Sequence, residues 1–185
     1  MEQKYYRDFK LEIVLALLKN EGHIREIAKT LHTNHMTIGR KMKELSDENV
    51  VDYKIEGKNK TYFIKKTLEA KNYVFIAELY KLNKILKKYP RIRRIVEAVQ
   101  KNNKIKLVLL FGSYAKEIPK PESDIDLYIE VMDKEIIERI KEIDTKLSIK
   151  IGKYDKSNLL IKEIKKNHVI LKGMEVFYEK NGFFE

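Results

Sequence analysis

The sequence has no cysteine. That excludes disulfides and thiolate metal sites and suits an intracellular, cytoplasmic protein. No run of about 18 apolar residues occurs, so no membrane span is expected. The opening Met1-Glu2-Gln3-Lys4-Tyr5-Tyr6 lacks the apolar core of a signal peptide. Internal repeats and low-complexity linkers are also missing. What remains is a chain of 185 residues, 43% hydrophobic and 36% charged, enough for one medium domain or two small ones.

The net charge of +11 is unevenly spread. Residues 105–185 carry 15 basic and 15 acidic side chains, whereas residues 1–104 carry 24 basic against 13 acidic. A basic front half points to a polyanionic partner.

In that half, apolar spacing predicts a helix over 6–19, with Phe9, Ile13 and Leu17 on one stripe, stopped by Asn20-Glu21-Gly22. A second helix over about 23–31 turns Ile24, Ile27, Ala28 and Leu31 inward. After His32-Thr33, Asn34 caps a third helix whose apolar positions are Ile38, Met42 and Leu45. The runs 50–55 and 61–64 flank Glu56-Gly57-Lys58-Asn59-Lys60 and predict a hairpin. Three helices followed by a basic-tipped hairpin resemble the winged helix-turn-helix domain over residues 5–66. The resemblance implies a third helix in the major groove of duplex DNA, with His35, Thr37, Arg40 and Lys41 facing the bases. Lys58 and Lys60 would then lie on phosphates. A protein-docking role is the alternative. Residues 67–88 predict one long helix ended by Tyr89-Pro90, with Lys81, Lys84 and Lys88 on one face and Arg91, Arg93 and Arg94 close behind.

The second half holds the stretch LLFGSYAKEIPKPESDIDLYIEV, residues 109–131. A buried strand over 105–111 runs into Gly112-Ser113, where glycine lets the backbone approach a ligand and the hydroxyl and free N–H groups can hold a phosphate. The next strand starts Asp124-Ile125-Asp126, and period two sets both carboxylates on one face. Two like charges side by side call for a cation, and Mg²⁺ suits carboxylate and phosphate oxygens together.

Gly112-Ser113, ten residues, then Asp124-x-Asp126 resembles the motif of the polymerase-β-like nucleotidyltransferase superfamily. Residues 90–185 are similar to its minimal nucleotidyltransferases, which include antitoxins paired with HEPN toxins. The resemblance implies an α+β protein: a winged helix-turn-helix domain (1–66), a connecting helix (67–89) and a small mixed-sheet nucleotidyltransferase domain (90–185). It implies that Gly112 and Ser113 hold the triphosphate of an NTP, ATP as the expected donor, and that Asp124 and Asp126 hold Mg²⁺ and carry catalysis. A nucleoside monophosphate would pass to a protein or RNA hydroxyl, a HEPN-type toxin being one such protein partner.

The chain departs from that pattern at the next strand, Leu147-Ser148-Ile149-Lys150-Ile151, where the family carries a third acid and this chain offers Ser148 and Lys150. Asp144 and Asp155 flank the strand out of register, and Lys150 is expected near Asp126. His168 is expected to serve a helix end. The alternative reading is a DNA-binding regulator whose nucleotidyltransferase domain is inactive and acts as a sensor or homodimerisation module.

Overall fold

The computed structural model describes residues 7–57, 59–131 and 133–185. The chain divides into two compact units that part between Ala77 and Glu78. The expected boundaries at 66/67 and 89/90 set a connecting helix apart; in the structure the division falls inside that helix.

In the first unit, α1 (Phe9–Leu17), α2 (Ile24–Thr30) and α3 (His35–Asp47) precede a hairpin of β1 (Val51–Glu56) and β2 (Asn59–Ile64). Local capping sets the helix starts. Asp8 accepts from the N–H groups of Lys10 and Leu11, and Asn34 accepts from Thr37 N at 2.8 Å. His32, at φ 47°, reverses the chain between α2 and α3. Ile13, Val14, Ile27, Ala28, Ile38, Met42, Leu45 and Val50 form the buried core. Gly22 bridges Tyr62 through paired backbone hydrogen bonds, giving the hairpin a third edge contact. The hairpin is tighter than expected. Glu56 pairs with Asn59, and Gly57 at φ +63° turns the chain out of β1.

In the second unit, α4 (Leu68–Lys88), which begins in the first, leads to α5 (Ile92–Lys101). There follow β3 (Leu107–Phe111), α6 (Gly112–Ala115), β4 (Ile125–Glu130), α7 (Lys134–Lys141), β5 (Leu147–Ile151), α8 (Leu159–Lys166), β6 (Val169–Lys172) and α9 (Met174–Asn181). The strands form a mixed sheet in the order β5-β4-β3-β6, with β4 and β5 parallel and the other pairs antiparallel. One face carries Val108, Leu110, Ile125, Leu127, Ile129, Val169 and Leu171. It packs with Ile92, Ile95, Val96 and Val99 of α5 and Ile136, Ile137 and Ile140 of α7. The helical spacing of those α5 and α7 residues produces the stripe that covers the sheet.

Alternation then sends Leu109, Asp126, Tyr128, Glu130, Ser148 and Lys150 to the opposite face. Along that face Lys180 and Asn181 of α9 reach Glu130 and Tyr154, and Phe177 and Tyr178 are buried. The protein is α+β, with a mixed sheet and helices segregated around it.

Candidate functional site

β3 ends at Phe111, and the chain turns at Gly112 (φ +68°) into the single-turn α6. Phe111 stands in register with Asp126 on β4. A methyl group on Gly112 would overlap Asp126 Oδ2 and lie 3.0 Å from its Cγ. Glycine is therefore required twice, for its left-handed backbone and for the carboxylate beside it. Tyr114 anchors the turn: it is buried, edge-on to Tyr89 with ring centroids 5.0 Å apart. Ser113 is half-buried, and its carbonyl accepts from Ile118 N at 3.0 Å.

Asp124 lies exposed just before β4, while Asp126 is half-buried within it. Ile125 and Leu127 point the other way and are fully buried, which fixes the direction of Asp126. Burial raises the Asp126 carboxyl above its usual pKa, and the charge of Asp124 adds to the rise. The neighbouring Ser148 hydroxyl and the charge of Lys150 pull it down. A half-buried carboxylate beside a second one is relieved by a cation. The pair, with open backbone next to it, fits a divalent ion that takes its other ligands from phosphate oxygens.

Ser148 is the in-register neighbour of Asp126 on β5, whereas Lys150 is in register with Tyr128 and is exposed. Lys150 therefore acts on Asp126 through its field, one step removed, and Ser148 is the nearer neighbour by register. The two spare acids are engaged elsewhere. Asp144 accepts from Arg91 Nε at 3.0 Å and Nη2 at 2.7 Å. Asp155 accepts from Ser157 N at 2.8 Å and Ser157 Oγ at 2.7 Å, closing its own turn. Among the described residues no group of three or more His, Asp or Glu side chains gathers as a metal set.

His168 is buried just after α8, with Nδ1–H donating to Ile164 O at 3.1 Å and the ring 4.5 Å from that of Phe177. Burial pushes its pKa down to about 4; Lys81 pushes the same way and Glu78 opposes. Its place is the end of a helix.

On α3, Ile38, Met42 and Leu45 face the core, so the opposite side of the helix presents Met36, Arg40 and Lys43. Met36 is 72% exposed. His35 is exposed at the helix start, Thr37 is half-buried, and Lys41 lies on the flank with its ammonium on Glu44 Oε2 at 2.7 Å. Lys43 was missed from the sequence, although it follows Arg40 by three residues and so shares its side. On the hairpin, Lys60 Nζ sits 3.8 Å above the Tyr53 ring, and Lys54 is paired with Glu21 and Glu56. Lys58 lies outside the described residues.

No curated protein gives a significant match to the chain. A solved structure from Mycobacterium bovis is similar at 19% identity and a TM-score of 0.34, over 42% of this chain and 68% of that one. It is the homodimeric winged helix-turn-helix DNA-binding domain of a protein described as a possible ArsR-family transcriptional regulator. Residues 93–182 match the family model "Polymerase beta, Nucleotidyltransferase", and the matched stretch contains Gly112, Ser113, Asp124, Asp126, Ser148 and Lys150.

Proposed function

We propose that the second unit binds a nucleoside triphosphate, with ATP the expected donor and Mg²⁺ held by Asp124 and Asp126, and transfers its nucleoside monophosphate to a protein or RNA hydroxyl. The observation that carries this reading is the carboxylate pair set against Gly112, where the missing Cβ leaves Asp126 Oδ2 its room. Gly112 and Ser113 would approach the triphosphate from the end of β3, and Asp124 and Asp126 would supply two oxygen ligands from β4. A bound divalent ion would neutralise phosphate charge and polarise the reacting phosphoryl group. The first unit would bind duplex DNA through the exposed side of α3, with Arg40 and Lys43 as its central cations.

A second reading has a specific observation behind it: Asp144 and Asp155 are both engaged away from the pair. On that reading the second unit binds nucleotide without turning it over, and the protein is a DNA-binding regulator. Isothermal titration of ATP with and without Mg²⁺ tests the site common to both. ATP should bind more tightly with Mg²⁺, and the double variant Asp124→Ala/Asp126→Ala should lose that metal effect. Unchanged Mg²⁺-dependent binding in the double variant would overturn the assignment. Release of pyrophosphate from ATP then separates the two readings.

A further inference from the structure

Phe111, Asp126 and Ser148 stand in one row across β3, β4 and β5. Residues in register project to the same side of a sheet, and adjacent strands lie about 4.8 Å apart. The Ser148 side chain is the in-register neighbour of Asp126 on β5, on the same side of the sheet. β5 is an edge strand and Ser148 is only half-buried, so no further strand lies beyond this hydroxyl. Gly112 follows Phe111 directly and flanks Asp126 from β3. The carboxylate thus has the Gly112-Ser113 turn on one side and a serine hydroxyl on the other.

Displacement at phosphorus needs the nucleophile and the leaving group roughly in line. With the outer phosphates over Gly112-Ser113, a nucleophile on the β5 side occupies the opposed position. We propose that Ser148 is itself an acceptor, so that the protein transfers a nucleoside monophosphate onto its own β5 strand. The proposal rests on the nucleotide-binding reading above and names the protein hydroxyl of that reading. In the step, Ser148 Oγ bonds to the α-phosphorus and its proton passes to solvent water. The bond from the α-phosphorus to the oxygen bridging to the β-phosphorus breaks, and pyrophosphate leaves. The product is a serine–nucleoside monophosphate phosphodiester.

Two features favour this acceptor over an external one. Ser148 is held beside Asp126 by strand register, whereas an incoming hydroxyl finds Asp144 taken by Arg91. Lys150, two residues on and exposed on the same face, can offset the negative charge of the phosphodiester.

The test incubates the full-length protein with Mg²⁺ and ATP, GTP, CTP or UTP in turn. Intact-mass measurement and peptide mapping then follow, with Mg²⁺-dependent ATP binding measured by calorimetry on the same preparation. One nucleotidyl adduct should map to Ser148, be lost completely in Ser148→Ala and persist at a lower rate in Ser148→Thr. A second readout needs no turnover: Ser148→Asp places a third carboxylate beside the pair and should tighten binding of Mg²⁺ alone. Failure of that tightening would contradict the placement of Ser148. An adduct elsewhere, or none in a protein that binds Mg²⁺–ATP, would overturn self-transfer and leave the nucleotide site standing. A protein that does not bind Mg²⁺–ATP would bring down both.

Discussion

Replacing Gly112 with alanine tests the geometry of the site without altering any charge. Gly182 supplies an internal control in the same unit. Both glycines are left-handed, at φ +68° and φ +61°. A methyl on Gly182 meets only the end of the Glu185 side chain, with Oε2 at 3.2 Å, whereas one on Gly112 overlaps the Asp126 carboxylate. Left-handed backbone costs an L-residue about 1–2 kcal/mol. Gly182→Ala should cost about that and no more. In Gly112→Ala the carboxylate must also swing out of its rotamer, adding roughly 1 kcal/mol. The total is then about 2–3 kcal/mol. At about 4 °C per kcal/mol for a unit of this size, melting should fall by roughly 5 °C in the control and roughly 10 °C in Gly112→Ala.

Binding should separate the variants further. A contact to a charged group is worth about 1.5–3 kcal/mol, so a displaced Asp126 should weaken Mg²⁺–ATP binding roughly tenfold to a hundredfold. Gly182→Ala should bind normally. Thermal melting and calorimetry on the two variants give both numbers. If Gly112→Ala melts with Gly182→Ala and binds Mg²⁺–ATP as wild type does, the close approach of Gly112 to Asp126 has no part in the site.

Duplex DNA should bind the full-length protein with steep salt dependence, because counterions are released. Arg40→Ala with Lys43→Ala should reduce the logarithmic salt slope by about 2, while Lys41→Ala, already paired with Glu44, should change it less. Fluorescence anisotropy without salt-sensitive binding at low ionic strength would assign the first unit to protein docking instead. For His168, the folded pKa of about 4 lies below the ordinary 6.5, so the unfolded chain binds more protons between these values. Stability from this group is therefore present above about pH 6.5 and lost as pH falls towards 4, by roughly 3 kcal/mol at most. In denaturant melts across that window, the stability difference between wild type and His168→Phe should shift in favour of the variant as pH falls; parallel curves would show that His168 does not titrate there.

The elements that position the site were legible because their signals are local. Asn34 caps α3 through a hydrogen bond three residues long, and Ile38, Met42 and Leu45 repeat at helical spacing. The alternation Ile125, Leu127, Ile129 sends Asp126 to the other face of β4, as period two requires. The register between strands was not legible, since it depends on residues brought together from a distance. Nothing near Lys150 in sequence says that it pairs with Tyr128, while Ser148 pairs with Asp126. On α3 the apolar positions define the buried side well. The bond from Lys41 to Glu44, which takes that lysine off the exposed side, appears only once rotamers are known.

Asp144 shows how such distant pairing decides chemistry. By composition alone it is the nearest spare acid to β5, three residues before Leu147, and it is half-buried as a metal ligand can be. Yet Arg91, which immediately precedes α5, grips both of its oxygens, and Lys146 N donates to it as well. Arg91 outcompetes any ordinary base for the role of partner because its guanidinium stays charged and its planar fork matches a carboxylate. The Asp144 carboxyl is held below its usual range despite burial, through Arg91 and the Lys146 backbone. A carboxylate so engaged would have to give up two charge-assisted hydrogen bonds before it could serve as a base or ligand at Asp126. The same clamp that joins the start of α5 to the turn before β5 therefore keeps Asp144 engaged with Arg91, and Ser148 remains the in-register neighbour of Asp126 on β5.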